Sequence, residues 1–221
     1  MRRGVLHKLD VRLHKMTLSV GIYLFNSVEV LDFAGPFEVF TTASRVFLRR
    51  NPGSPAPFNV FTVAKTAAVV QARAGLRALP DFSLEDCPNI HLLLIPGGVV
   101  DEELKDQNVI AWVRETASRA QVTASVCTGA FVLAKAGLLH RKKATTHWED
   151  IADLRDQFPD VQVQDGVRWV DEGQVVSSAG IAAGIDMSLH LVGRLVSHEL
   201  AEATARQMDV PYRSEALYLP K

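Results

Sequence analysis

The chain has 221 residues, enough for one α/β domain with a substantial core. Its formal net charge of −1 offers no electrostatic argument for binding nucleic acid. No run of about 18 apolar residues is present, so no transmembrane helix is expected. Its two cysteines, Cys87 and Cys127, are too few for a disulfide framework and are typical of a reducing, cytoplasmic location.

The N-terminal segment differs from the rest of the chain. Residues 1–15 are rich in basic side chains and lack the apolar stretch of a signal peptide. Met16 immediately precedes the first clear strand pattern. We therefore predict that residues 1–15 are a disordered extension and that residues 16–221 form a single domain.

From Leu18 onward, apolar runs alternate with segments of helical spacing. The strand patterns cover residues 18–25, 58–64, 69–70, 91–95, 122–126 and 161–163, and a hairpin of 167–170 with 174–177. Residues 145–148 close a further short strand and open the helix that follows it. The helix patterns cover residues 37–48, 101–119, 130–134, 148–154, 181–196 and 198–208. The continuous apolar run at 91–95 is typical of a central parallel strand buried on both faces. This alternation predicts a doubly wound, mostly parallel sheet between layers of helices.

Cys127 lies where a predicted strand ends and a predicted helix begins. A strand, a sharp turn and a helix form a nucleophile elbow, which projects a side chain over the end of a sheet. A thiol there faces the positive end of the helix, which favours the reactive thiolate and predicts a lowered pKa. The alternative is a buried cysteine that acts as a small apolar side chain.

Three other segments are expected at the same edge of the sheet, because ligands of open α/β sheets bind outside the carboxyl ends of the strands. Gly97 and Gly98 follow the central strand, where their amides could bind a developing negative charge, although an ordinary turn is the simpler interpretation. Asp32 follows the first strand and could cap the next helix or move a proton. His147 stands at a strand-to-helix junction, where it could be a base for the thiol or a structural histidine.

The remaining motifs favour no other chemistry. No histidine and cysteine cluster has the spacing of a metal site, and there is no phosphate-binding P-loop or dinucleotide fingerprint. Neither a metal nor an organic cofactor is therefore expected.

Several of these segments together resemble the ThiJ/PfpI superfamily, of the class I glutamine amidotransferase-like, flavodoxin-like fold. The closest subgroup is formed by isonitrile hydratases and the sensor domains of AraC-type regulators. The resemblance spans Thr17 to Tyr212. It rests on five motifs, V-L-D-F-A-G-P-F-E-V-F at 30–40, L-L-L-I-P-G-G at 92–98, S-V-C-T-G-A-F-V-L-A-K-A-G-L-L at 125–139, A-T-T-H-W at 144–148 and S-A-G-I-A-A-G-I-D-M-S-L-H-L-V at 178–192.

The resemblance implies roles for individual residues. The family's nucleophile falls on Cys127 and its neighbouring threonine on Thr128. The acidic partner, which is aspartate in isonitrile hydratases, falls on Asp32. The remaining site positions fall on three residues, namely Gly97 and Gly98 beside the thiol and, as in some members, His147.

This chain also departs from parts of the superfamily. The PfpI-type peptidases carry histidine where this chain has Thr128, so peptidase activity is not expected. Glutamine amidotransferases need a late His-x-Glu pair, which has no match after residue 149. The elbow's usual first glycine is Ser125. The regulators add a helix-turn-helix domain after this module, and the sequence ends at Lys221, so we do not expect nucleic acid as a partner. We do not expect a membrane as a partner either, because the chain has no long apolar run.

The resemblance implies a cysteine-dependent hydratase of small electrophilic substrates, with isonitriles converted to N-substituted formamides as the leading class. One alternative is a glyoxalase or deglycase that acts on methylglyoxal. Another is a non-enzymatic ligand or redox sensor related to the AraC-type regulators. The superfamily also implies a homodimer, which an exposed apolar face with Val39, Phe40 or Phe47 would fit.

Overall fold

The structure is a computed structural model that describes residues 16–213 and residue 216. The segment 1–15, predicted to be a disordered extension, lies outside the described residues. Among the helices that are described, none is long and apolar enough to cross a membrane.

A seven-stranded sheet forms the centre of the fold, in the order β10-β11-β7-β6-β1-β2-β5. Every neighbouring pair is parallel except the antiparallel pair β10 and β11. Two small sheets accompany it, the antiparallel pair β3 and β4 and the parallel pair β8 and β9. The strands are β1 Leu18–Leu24, β2 Phe58–Ala64, β3 Val70–Gln71, β4 Arg77–Ala78, β5 Phe82–Ser83, β6 Leu92–Ile95, β7 Val122–Val126, β8 Lys143–Ala144, β9 Gln162–Val163, β10 Trp169–Asp171 and β11 Val175–Ser178.

Seven α-helices are described, and they complete the α/β fold that the sequence predicts. They are α1 Val30–Arg50, α2 Asp101–Lys105, α3 Gln107–Arg119, α4 Gly129–Lys135, α5 Ile151–Gln157, α6 Ala183–Leu195 and α7 His198–Gln207. Short 3-10 turns lie at Arg73–Gly75 and Trp148–Asp150.

The register of the central strands positions the site. Every residue of β6 and β7 is buried, as expected for parallel strands covered on both faces. Ile95 at the end of β6 pairs with Ser125, and Ser178 at the end of β11 pairs with Val126. The segments that follow β6, β7 and β11 therefore leave the sheet at one edge.

Two predicted helix boundaries were wrong. Helix α1 begins at Val30 rather than at residue 37, with Pro36 inside it. A proline there removes one helical hydrogen bond, but burial of the helix's apolar face outweighs that loss. The predicted helix 101–119 is two helices, because Asp106 ends α2 and then caps α3 by accepting from the amide of Asn108 at 3.0 Å.

Two of the three residues suggested for an apolar dimer face were wrong, while Phe47 stays open. Val39 and Phe40 are 0% exposed, so they belong to the core of the protomer and cannot form an interface. Phe47 is partly buried against the same core. The homodimer itself stays a prediction, which light scattering would contradict if it gave a mass near 24.3 kDa.

Candidate active site

Cys127 occupies a strained turn between β7 and α4. Its φ of +54° lies in the left-handed region, which costs a non-glycine residue on the order of 1–3 kcal/mol. The surrounding structure holds this turn, since the Cys127 amide donates to Ser178 O at 3.1 Å and its carbonyl accepts from Thr146 Oγ1 at 2.8 Å. A Cβ at Gly129 would lie 2.2 Å from Ile95 O, so only glycine lets α4 approach β6 this closely. The predicted elbow is thus present, with Cys127 at its apex.

Asp32 is a buried acid rather than a helix cap. It is the third residue of α1 and 0% exposed, whereas the cap position belongs to Glu29. Its Oδ2 accepts from the Gly97 amide at 3.1 Å. Its Oδ1 is buried and, within the described part of the chain, has no partner of regular hydrogen-bond geometry. The carboxyl group therefore keeps one oxygen available for chemistry.

The turn after β6 is joined to the loop after β1. Glu29 N donates to Gly97 O at 2.8 Å, and Val99 N donates to Ser27 O at 3.1 Å. Gly98 has a φ of +136°, and a Cβ there would lie 2.3 Å from Ser27 O. Glycine is thus required at this crossing, which positions Asp32 beside the elbow.

The amides of the two glycines have partners inside the site. Gly97 donates to Asp32, and Gly98 donates to Thr128 Oγ1 at 2.9 Å. The Thr128 hydroxyl in turn donates to Gly98 O at 2.8 Å. In this arrangement the glycines hold the acid and the threonine in place, and the amide and the side chain of Thr128 both favour the thiolate of Cys127. Substrate binding by the glycines stays a prediction.

The thiol and the acid disfavour each other's charge. Burial raises the pKa of Asp32 to about 7, although the Gly97 hydrogen bond opposes the rise. Burial and the charge of Asp32 raise the pKa of Cys127 to about 12, against the stabilising contacts of Thr128. The prediction of a lowered thiol pKa was therefore wrong, because burial and the charge of Asp32 outweigh the Thr128 hydrogen bonds that lower it. The resting cysteine is a thiol beside an acid that titrates near neutrality.

His147 lies on the other side of the thiol. Its imidazole is packed against Gly180, where a Cβ would meet His147 Cδ2 at 2.2 Å and Cys127 Sγ at 3.3 Å. Because β7 lies between β6 and β11, Asp32 beside the β6 turn and His147 beside the β11 turn flank Cys127 from opposite sides. The structure thus brings all the predicted site residues to one edge of the sheet.

Two residues with a place in this site were not singled out from the sequence. Gly180 lies against both His147 and Cys127, with no room for a Cβ beside the imidazole, and Asp150 Oδ2 lies 3.6 Å from His147 Nδ1. An acid three residues after a histidine at a helix start was the available signal for Asp150. Gly180 had no signal, since only the packing shows what surrounds it.

Three exposed apolar side chains adjoin site residues in the chain. Leu31 precedes Asp32, Trp148 follows His147, and Ile181 follows Gly180. Among the described residues, no group of three or more histidine, cysteine or acidic side chains could hold a metal ion. The expectation that the protein needs no metal or organic cofactor stays a prediction.

A family model and individual relatives of known name both match most of this chain. The model of the DJ-1/PfpI family matches residues 18–194. Isonitrile hydratase of Pseudomonas putida is 34% identical over 195 residues, which cover 88% of this chain and 79% of that protein. The transcriptional regulator GbdR of Pseudomonas aeruginosa is 28% identical over 84% of this chain, but this chain spans only 48% of that regulator.

Solved structures show the same fold. A THiJ/PfpI family protein from Pseudomonas syringae superposes with a TM-score of 0.76 at 25% identity, over 93% of this chain and 81% of that chain. DJ-1beta of Drosophila melanogaster superposes with a TM-score of 0.74 at 20% identity, over 89% of this chain and 100% of that chain.

Proposed function

We propose that this chain, which belongs to the DJ-1/PfpI family, is a cysteine-dependent hydratase that converts isonitriles to N-substituted formamides. The observation that carries the proposal is the pair formed by the Cys127 thiol and the buried Asp32 carboxyl. Its similarity to an isonitrile hydratase over 88% of the chain supports the choice of substrate. Three exposed apolar residues that neighbour site residues in the chain, Leu31, Trp148 and Ile181, would suit an isonitrile with an apolar substituent.

Asp32 is suited to move the first proton. Its pKa of about 7 lets it accept and donate a proton near neutral pH, which is the requirement for general acid and base catalysis. The Cys127 proton passes to Asp32, and Asp32 passes it to the terminal carbon of the isonitrile as sulfur bonds to that carbon. The product is a thioimidate, R–N=CH–S–Cys, which contains every atom of the thiol and the substrate.

Water completes the reaction. Its oxygen bonds to the thioimidate carbon, one of its protons goes to a base in the site, and a proton reaches the nitrogen to give R–NH–CH(OH)–S–Cys. The carbonyl then forms, the C–S bond breaks, and the hydroxyl proton returns to sulfur. One isonitrile and one water have become one formamide, and Cys127 is again a thiol.

The direct test is turnover by the purified chain. Cyclohexyl isocyanide is incubated with the protein and formation of the formamide is followed by mass spectrometry, while methylglyoxal is assayed separately for lactate. Cys127→Ala should abolish formamide formation, and Asp32→Asn should lower it by about 10²–10⁴-fold. Cys87→Ala is the matched control, because this thiol lies outside the site and should leave turnover intact. Turnover of methylglyoxal with no isonitrile consumed would instead support the deglycase alternative.

A sensor is the second candidate function. The similarity to GbdR covers 84% of this chain, which shows that this module also occurs within transcription regulators. However, the raised pKa of Cys127 disfavours a thiol that peroxide oxidises easily, since the thiolate is the reactive form. A sensor would therefore bind a small ligand at this site rather than respond to oxidation. Tight binding of an isonitrile without turnover would favour it.

A further inference from the structure

We infer that Thr146 is a positioning residue of the site, whose hydroxyl holds the carbonyl end of the peptide group between Cys127 and Thr128 and so fixes the Thr128 amide at its other end. The inference rests on the proposed hydratase for its place in the reaction. The contacts that carry it do not depend on the substrate.

The hydroxyl of Thr146 is bonded to the turn that carries the thiol. Thr146 is only 1% exposed, and its Oγ1 donates to the Cys127 carbonyl at 2.8 Å, an ordinary distance for such a bond. The same carbonyl also accepts from the Ala130 amide, at a longer 3.2 Å. A backbone carbonyl has two lone pairs, so it can hold both donors at once.

The Cys127 carbonyl and the Thr128 amide belong to one planar peptide group. Every peptide bond in the described part of the chain is trans, so the carbonyl oxygen and the amide hydrogen point in opposite directions. A donor that fixes the carbonyl therefore also fixes the direction of the amide. It strengthens the amide as a donor as well, by about 10–30%, because linked hydrogen bonds polarise one another.

That amide is the backbone group that favours the thiolate form of Cys127. Thr146 thus acts on the sulfur through the peptide group, from the end of that group opposite to the amide.

The donor of Thr146 is itself held in place. The preceding amide, that of Thr145, donates to Ser177 Oγ at 2.9 Å, and Ser177 lies in β11 beside β7. This anchor matters because Cys127 has a φ of +54°, a conformation that persists only where the surrounding structure enforces it. The Ser178 carbonyl holds the amide of Cys127, and Thr146 holds its carbonyl.

The consequence concerns the step in which sulfur attacks. The thiol proton passes to Asp32, and the electron pair of the broken S–H bond stays on sulfur until it forms the bond to the isonitrile carbon. Burial and the charge of Asp32 make the anionic sulfur costly, and they raise the pKa of Cys127 to about 12. A fixed Thr128 amide offsets part of that cost, because it is already in place when the charge develops.

Alkylation of Cys127 tests this role without any substrate. The rate with iodoacetamide is measured from about pH 7 to pH 10 in a Cys87→Ala background, so that one thiol reports. Thr146→Val removes the hydroxyl and keeps the shape, and it should slow alkylation at a given pH by about three- to tenfold, since a thiol pKa one unit higher leaves a tenth of the thiolate. Thr146→Ser retains the hydroxyl and should restore the rate.

Thr145→Val is the matched control. Thr145 is equally buried, and its hydroxyl makes a long contact of 3.5 Å with the Thr146 carbonyl, so the alkylation rate should not change. The other groups around the thiol, Asp32, Asp150 and His147, are the same in all these variants. Circular dichroism checks folding, and Thr146→Ala gives the same comparison if Thr146→Val does not fold.

Turnover tests the place of Thr146 in the reaction. With an isonitrile, Thr146→Val should lower kcat by about tenfold at an unchanged KM, and Thr146→Ser should recover it. Equal alkylation rates in the wild type and the variants without the hydroxyl, or a Thr146→Ser variant as slow as Thr146→Val, would overturn the inference. If the wild type forms no formamide, the hydratase proposal fails, while the alkylation rates still decide the role of Thr146.

Discussion

Replacing Asp32 with asparagine should make the protein more stable at alkaline pH, although it removes the acid of the site. The folded-state pKa of Asp32 is raised from 3.8 to about 7, chiefly by burial. Stability from this group is therefore fully present below pH 3.8 and is lost as the pH rises through about 7. The ionised carboxylate costs the folded protein about 4 kcal/mol, at about 1.4 kcal/mol per pH unit. Asparagine has the same shape and carries no such cost.

Urea unfolding measures this effect. The free energy of unfolding of Asp32→Asn minus that of the wild type should rise by about 2 kcal/mol between about pH 5 and pH 7, and it should level off above about pH 8. The slope is the decisive quantity, because any constant effect of the asparagine amide cancels. Asp101→Asn removes an exposed charge at the start of α2 and should show a smaller change. A difference that is independent of pH would refute the raised pKa and, with it, the role of Asp32 as a proton carrier.

Further predictions concern the thiol, its surroundings and a distant ion pair. Asp32→Asn should speed alkylation of Cys127 by iodoacetamide above about pH 7, because loss of the carboxylate lowers the thiol pKa. Slower alkylation would argue against coupling between the carboxyl group of Asp32 and the thiol of Cys127. Isonitrile turnover by the wild type should rise with pH through about 7, as the acid becomes able to take the thiol proton. Gly180→Ala should abolish turnover while circular dichroism still reports a folded protein, since a Cβ there would lie 3.3 Å from the sulfur and even closer to the imidazole. Asp171→Asn should cost about 1–2 kcal/mol in urea unfolding above about pH 4, because the hydrogen bonds of Asp171 with His190 at 2.7 Å and Arg194 at 2.8 Å lower its pKa to about 2. That loss should diminish as the pH falls through about 2.

The candidate site could be read largely from residue types and their places in the predicted elements. Cys127 and Gly97 both follow apolar runs that are short, continuous and rich in β-branched or leucine residues. Such runs form parallel strands, and the carboxyl ends of parallel strands meet at one edge. The sequence was weaker on α1, since Pro36 suggested a start that the burial of the helix overrides.

The electrostatics of the site could not be read in this way. A helix beginning after Cys127 suggested a stabilised thiolate, and only the packing showed how deeply the thiol is buried. The same holds for Val39 and Phe40, whose apolar character was visible while the face that they cover was not. Burial depends on residues distant in the chain, so local pattern carries little information about it.

What the sequence by itself determined is the alternation of the main strands and helices and the edge of the sheet where the candidate site lies, because these follow from local periodicity and turn chemistry. It did not show β4, β5 or the break between α2 and α3. Tertiary structure alone decided which charges face one another. It placed Asp32 against the Gly97 amide and Gly180 against the thiol and the imidazole. Those placements come from contacts between segments distant in the chain, such as the 65 residues that separate Asp32 from Gly97, and a pKa responds to those contacts rather than to the neighbours in sequence.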